Sequence, residues 1–244
     1  MRMATNKMVT NKINKILTLF FITSIIIFFY SCSAEDMELL KANRLASSVQ
    51  LEPRLQAYEI YLKYASVSPQ AREGLLAVSK SIGISYTINR EFREGVRFLS
   101  QVLEMDPTQY IAHYYIGVCY ANLWSTEMNP DLKEDYKKKA IAHYERAIEI
   151  VPSLTSAHYG LGFFYFEALE DYKKAKEELL EVLRLEPKNV RAHFVLAQIA
   201  YLEGDLALAR DYYVKILSLI SKKDPRRQTV LDNIAQIDRE LGNK

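Results

Sequence analysis

The side chains best equipped for chemistry in this chain are three of its histidines and its two cysteines. His113, His158 and His193 recur in one local setting. Ala112-His113-Tyr114-Tyr115-Ile116-Gly117-Val118-Cys119-Tyr120 and Ala157-His158-Tyr159-Gly160-Leu161-Gly162-Phe163-Phe164-Tyr165 both read Ala-His-aromatic-x-aliphatic-Gly-x-x-Tyr, and Ala192-His193-Phe194-Val195-Leu196-Ala197 keeps the first half. Imidazole is the commonest metal ligand and a general base near neutral pH, so a histidine repeated three times invites a metal reading. A thiolate is a nucleophile or a ligand. Cys32 ends a hydrophobic segment and Cys119 sits inside the repeated motif, an arrangement that argues against a disulfide framework. No Gly-rich phosphate loop, HExxH, CxxC or G-x-S-x-G pattern is present. Gly160-x-Gly162 lies within a helical stretch, so it reads as a packing feature. The chain is therefore read as non-enzymatic, with no catalytic residue, no metal and no cofactor.

Composition narrows the class further. The chain has 244 residues, 49% hydrophobic and 25% charged, ordinary values for a globular protein. Eight glycines and seven prolines are too few for a loop-rich all-β fold, and 17 tyrosines leave aromatic surface to be explained. Of the 32 basic residues, Arg2, Lys7, Lys12 and Lys15 cluster before the first acid; the remaining 28 face 30 acidic residues, a balance of about −2. Nothing in that balance favours nucleic acid as a partner. Lys137-Lys138-Lys139 and Lys222-Lys223 with Arg226-Arg227 are small basic clusters, read as solvated helix faces, with anionic lipid headgroups as the alternative.

The elements that position the motif are helices. Pro107, Pro152 and Pro187 each close an aliphatic–acidic helical segment, because proline cannot donate the intrahelical hydrogen bond. Between these stops Ile82-Gly83, Leu161-Gly162 and Leu196-Ala197 recur, followed by Tyr86 or Tyr165 and then by a small Gly95, Ala175 or Ala209. This unit resembles the tetratricopeptide repeat, a helix–turn–helix of about 34 residues with the pattern W-x₂-L-G-x₂-Y, A-x₃-F, P. The resemblance covers about residues 76–223 in four units, 76–109, 110–154, 155–189 and 190–223. His113, His158 and His193 stand where the family has Trp, Gly95 where it has Ala, and Ser221 where it has the last proline. It implies an all-α α-solenoid of antiparallel helix pairs. The histidine slot is one that the family packs between its helices, about a helix-pair width from the next, so the resemblance argues against a shared metal. Cys119, beside a core slot, reads as a buried inert thiol. Residues 37–70 are expected to form a degenerate N-terminal helical hairpin, with helices Met37–Gln50 and Arg54–Ala65. Residues 225–242 are expected to form a capping helix facing the array through Val230, Leu231, Ile234 and Ile237. The second unit is 45 residues long, about 11 in excess. The excess is expected to lengthen both helices, either projecting a tip that carries Trp124 and Met128 or forming a longer hairpin packed on itself.

Residues 1–15 are a basic, polar leader and Ile16–Tyr30 is 15 residues of nearly continuous apolar character. That run is short for a membrane span of about 20 residues and fits the apolar region of a signal peptide. Running into Ser31-Cys32, it resembles a bacterial lipoprotein signal: 1–31 the signal peptide, Cys32 the lipid attachment site, 32–36 the lipidated tether. Tyr30 departs from the family's aliphatic-then-small pattern. An uncleaved anchor and plain secretion are the alternatives, and Met3 or Met8 are alternative starts. All three readings place the repeats outside the cytoplasm, and the lipoprotein reading places them in the bacterial cell envelope, facing the periplasm or cell exterior.

One face of each repeat's first helix is unexpectedly apolar. With Ile116 pointing at the core and 100° per residue, Tyr114, Val118 and Ala121 fall within about 40° of the opposite side. The resemblance implies that this side lines a concave groove. The equivalent positions are Lys80, Ile84 and Thr87, then Tyr159, Phe163 and Phe166, then Phe194, Gln198 and Tyr201. The aromatic members Tyr114, Tyr159, Phe163, Phe166, Phe194 and Tyr201 are expected to form one continuous wall. Contiguous apolar surface marks an interaction site, and tyrosine suits one. A protein or peptide partner, an apolar small ligand, and one of the chain's own terminal helices are the three occupants weighed. A clamp for a peptide's terminal carboxylate is disfavoured, since Lys80 alone supplies a cation on this face.

Overall fold

The computed structural model describes residues 34–242, and the leader and Cys32 lie outside the described residues. The fold is all-α, with eleven helices and no strand among the described residues. It divides into two compact units, with the boundary after Val78.

The first unit begins with an antiparallel hairpin, α1 (Ala34–Ala46) and α2 (Leu51–Tyr64). Leu39 and Ala42 of α1 are buried, as are Ala57, Tyr58 and Tyr61 of α2. Two ties set the register: Lys63 Nζ meets Glu38 Oε2 at 3.0 Å, and the Tyr61 hydroxyl donates to Asn43 Oδ1 at 2.6 Å. Both helices sit a few residues before their expected bounds. Ser47 Oγ donates to the Arg44 carbonyl, and Ser48 Oγ accepts from the Gln50 amide, which ends α1 before Val49. Pro53 lies in the first turn of α2 and Pro69 opens α3 (Pro69–Ile88). Neither breaks a helix there, because first-turn amides have no intrahelical acceptor.

From Ser79 onward the second unit is an α-solenoid of helix pairs. The end of α3 precedes α4 (Phe92–Met105); α5 (Tyr110–Thr126) pairs with α6 (Pro130–Ile150), α7 (Thr155–Leu169) with α8 (Tyr172–Leu185), and α9 (Val190–Leu202) with α10 (Leu206–Leu219). A final helix, α11 (Arg227–Glu240), packs on α10. Ile82, Ile116, Leu161 and Leu196 are at most 2% exposed, and Ala140, Ala175 and Ala209 are fully buried. The motif's aliphatic and small residues are thus the packing interior. One cluster joins Tyr144, Leu161, Leu179, Val182 and Leu196, and a second joins Ala197, Tyr213, Ile216, Val230 and Ile237. Leu231 departs from the expected inward face of α11, standing 39% exposed while Val230 and Ile237 are buried.

The long second pair has helices of 17 and 21 residues, against 15 and 14 in the third. Asn129 caps α6 by accepting from the amides of Asp131 and Leu132. Met128 stands 91% exposed at the tip. Trp124 does not project with it: its ring meets Phe164 of α7 edge-on at 5.5 Å, and Lys133 lies 4.5 Å over its face.

Candidate functional site

The motif histidines serve the joints between pairs. Nε2–H of His113, His158 and His193 donates to the carbonyl of Pro107, Pro152 and Pro187, at 3.2, 3.0 and 3.2 Å. Each proline leaves its own carbonyl free as an acceptor, and the first helix of the next pair returns a ring N–H to it. The opposite ring nitrogens diverge. His158 Nδ1 contacts Glu178 Oε2 at 2.6 Å, so with both nitrogens donating the ring is favoured as imidazolium and its pKa is raised, chiefly by that carboxylate. His113 Nδ1 meets His143 Nδ1 at 3.0 Å. Burial holds both of these rings below the ordinary histidine value, His143 down to about 4, helped by the positive potential of His113 and Lys139. His193 Nδ1 is buried without a partner. Among the described residues no three ligand-bearing side chains converge on a metal position.

Cys119 is fully buried, its thiol pushed up to about 11 by burial against the lowering effect of a 3.1 Å contact with Thr87 Oγ1. The same Thr87 hydroxyl donates to the Gly83 carbonyl at 2.9 Å. Thr87 therefore points into the core, not onto the groove where helical periodicity put it. A hydroxyl paired inside its own helix can be buried at little cost.

One open feature of this unit, lined mainly by the motif helices, is a cleft of about 430 Å³ between α5 and α7. Five expected groove residues line it: Tyr114, Val118 and Ala121 from α5, Tyr159 and Phe163 from α7. Its remaining lining includes Trp124, Tyr144, Phe164, Glu167 and Arg191. Tyr144 enters from α6 through a gap left by two glycines. A Cβ at Gly117 would stand 2.9 Å from Tyr144 Cδ1, and one at Gly160 2.8 Å from Tyr144 Cε1. Gly117 and Gly160 together thus admit an aromatic ring between two repeats. Tyr159 and Phe163 stack at 6.0 Å, and the Arg191 guanidinium covers Tyr159 at 4.2 Å. Burial raises the Tyr114 pKa, so its hydroxyl stays neutral.

The other expected groove residues do not join this cleft. Lys80 Nζ donates to Gln109 Oε1 at 3.1 Å and Ile84 is half-buried. Phe166 bridges Phe163, at 6.4 Å, and Tyr172 of α8, at 6.1 Å, and Phe194 meets Tyr213 of α10 at 6.1 Å. Gln198 is exposed. The Tyr201 hydroxyl donates to Glu240 Oε1 at 2.8 Å and accepts from Gln236 Nε2 at 2.8 Å, so α11 covers that end of the face. The six aromatics therefore divide: Tyr114, Tyr159 and Phe163 line the cleft, Phe166 extends them toward α8, and Phe194 and Tyr201 pack against α10 and α11. Tyr159 also packs against the central core cluster, so it contributes to stability as well as surface.

Arg191 is the residue that periodicity missed. It comes from the first turn of α9, one pair further on, and reaches the cleft across the repeat boundary. The site can take an apolar or aromatic group, with one guanidinium and one carboxylate, Glu167, at its margin. It carries no nucleophile–base arrangement.

Residues 165–225 match the family described as "Tetratricopeptide repeat", and residues 137–168 match that described as "TPR repeat". Among curated proteins, the chain is 25% identical over 127 residues to tetratricopeptide repeat protein 37 of Xenopus laevis, covering 52% of this chain and 8% of that one. It is 24% identical over 135 residues to the TPR repeat-containing protein MJ1428 of Methanocaldococcus jannaschii, covering 55% of this chain and 22% of that one. The chain thus spans less than a quarter of these relatives' lengths. Among solved structures it resembles MamA from Desulfovibrio magneticus RS-1, with a TM-score of 0.60 at 18% identity over 78% of this chain and 98% of that one. It also resembles a thermophilic TPR protein of Thermus thermophilus, with a TM-score of 0.50 at 20% identity over 85% and 99%. Tetratricopeptide repeats are therefore present in this chain, and the fold is that of the solved solenoids.

Proposed function

We propose that this protein is a lipoprotein of the bacterial cell envelope, anchored at Cys32, whose repeats form a non-enzymatic scaffold for a protein partner. The anchor rests on the sequence alone: a basic leader, the apolar run Ile16–Tyr30 and the cysteine that follows. The scaffold reading rests on the repeats and on one observation above the others. The cleft between α5 and α7 is lined by aromatic side chains, and Phe163 among them stands 39% exposed. An apolar ring left in water at the mouth of a concave site gains free energy when a partner covers it. Tyrosine and arginine together are the usual composition of interface hot spots.

The test is affinity purification of the full chain from a detergent extract of envelopes, compared with Phe163→Ala and Arg191→Ala. Neither side chain is buried, so both variants should stay folded, and a circular-dichroism melt of each, expected to lose no more than about 2 kcal/mol, checks this before recovery is compared. A protein that co-purifies with the parent and is lost from the variants supports the reading. Equal recovery refutes the cleft as the docking site. Labelled fatty acid in the parent and not in Cys32→Ser supports the anchor, and label retained in Cys32→Ser removes it.

A second reading has its own support. The volume of about 430 Å³ lies within the range of small-ligand pockets, roughly 300–1,000 Å³. In that case the protein is an accessory subunit of an envelope transport system and holds an apolar small molecule. Native mass spectrometry of the purified chain separates the two, since a retained small molecule appears as a fixed mass increment lost in the Phe163→Ala variant.

A further inference from the structure

We infer that one end of the α1–α2 hairpin is a membrane-contact surface, and that its occupant is the headgroup layer of the bilayer holding the N-terminus; this rests on the anchor proposed above. The hairpin is antiparallel, as the Glu38–Lys63 and Asn43–Tyr61 contacts require. The C-terminal end of α2 and the connection after it therefore return to the level of the first turn of α1. From that end to the middle of α1 stand Met37, 62% exposed, and Leu40, 59%, with Leu62, 49%, in the last turn of α2 and Val67, 72%, in the connection after it. Four large apolar side chains stand in water on the half of the hairpin nearest the N-terminus, and such exposure calls for a cover. The buried face of α1 is already satisfied, with Leu39 and Ala42 at 3% and 0%.

Chain length says what the cover is. Ala34, the first residue of α1, is two residues beyond Cys32, a reach of at most about 7 Å. Three helical residues add about 4.5 Å along the axis, so Met37 lies within roughly 12 Å of Cys32. A lipid-bearing Cys32 sits in the interfacial layer, which is about 5–7 Å deep on each side of the hydrocarbon. Interfacial helices bury their apolar side chains about 5–10 Å into that zone, a depth that spans the rise from Met37 to Leu40. The charges on this half of the hairpin nearly balance, with Glu35, Asp36 and Glu38 against Lys41 and Lys63, and carry no net positive charge. Apolar contact thus drives the docking, and it depends little on anionic lipid or salt.

The full chain, reconstituted in phosphatidylcholine–phosphatidylethanolamine vesicles, tests this. A thiol-reactive fluorophore is placed on Leu40→Cys and, as the aqueous reference, on Val49→Cys, which is 95% exposed at the opposite end of the hairpin. Buried Cys119 stays unlabelled, and the unsubstituted chain supplies the blank. Vesicles carrying a shallow nitroxide phospholipid should quench the label at position 40 at least twofold and leave the label at position 49 unchanged, at low and at high salt alike. Equal emission at the two positions overturns the inference. Fatty-acid labelling of Cys32 is scored separately. Acylation with equal quenching removes the surface and leaves the anchor standing. Selective quenching at position 40 without acylation removes the lipid anchor and leaves the surface, the apolar run Ile16–Tyr30 then holding the chain at the membrane.

Discussion

Replacing Gly162 with leucine tests the packing on which the repeat register depends. An ideal Cβ at this position would stand 3.0 Å from Leu179 Cγ, 3.1 Å from Glu178 Cβ and 3.3 Å from the Ala175 carbonyl oxygen. None of the three can easily give way. Leu179 is fully buried, Glu178 is held by His158 at 2.6 Å, and the carbonyl belongs to the backbone of α8. Alanine gains up to about 1 kcal/mol in helix propensity over glycine, which roughly offsets the tight contact. Gly162→Ala should therefore stay within about 1 kcal/mol of the parent. Leucine adds three further carbons where no space exists, so it should cost about 3 kcal/mol, the upper part of the overpacking range. For a unit of this size that lowers the melting midpoint by roughly 6–12 °C. Circular-dichroism melts of the chain from Ser33 onward, with the parent and both variants side by side, read the effect. A leucine variant that melts within about 2 °C of the parent would show that α7 and α8 do not meet at Gly162, and the assignment of the core face would fall.

The histidines give opposite pH signatures. The folded value of His143 is pushed down to about 4 by burial, so its contribution to stability is complete above the unfolded value near 6.5 and is lost as the pH falls toward 4. His143→Gln should flatten that acid limb, by about 3 kcal/mol at most, in urea titrations at pH 7 and pH 4.5; parallel curves would refute the assignment. His158 is raised by Glu178, so its ion pair stabilises below about pH 6.5 and fades as the pH climbs through the raised folded value. The cost of His158→Gln should accordingly be greater at pH 6 than at pH 9. The Cys119 thiol, pushed up to about 11 and buried, should resist iodoacetamide at pH 8 until denaturant is added; fast alkylation of the native chain would contradict its burial.

How much of this was legible beforehand depends on the distance a contact spans. The repeat register, the helix-stopping prolines and the core slots at Ile116, Leu161 and Leu196 follow from periodicity along single helices. A helix of fixed geometry turns spacing directly into a face. The lengthening of the second pair follows from residue count. The three histidines showed their spacing in the sequence. That each donates to a proline carbonyl at a joint became visible only when the backbone of the preceding turn was placed beside the ring. Single-helix geometry placed Thr87 outside, and the tertiary structure turned it in, because a hydroxyl satisfied by Gly83 and Cys119 carries little cost in a core. Trp124 was read as part of a projecting tip, but the face of Phe164 was within reach and burying both rings was more favourable. Tyr201 was placed on an open face and is covered by α11, whose docking depends on how the array ends. Arg191 enters the cleft from the neighbouring pair. Its position is set by the angle between two pairs, a quantity that no periodicity within one helix contains. The sequence alone determined which residues share a helix face. The tertiary structure decided which faces are covered, because covering a face is a contact between elements whose separation and tilt arise from packing.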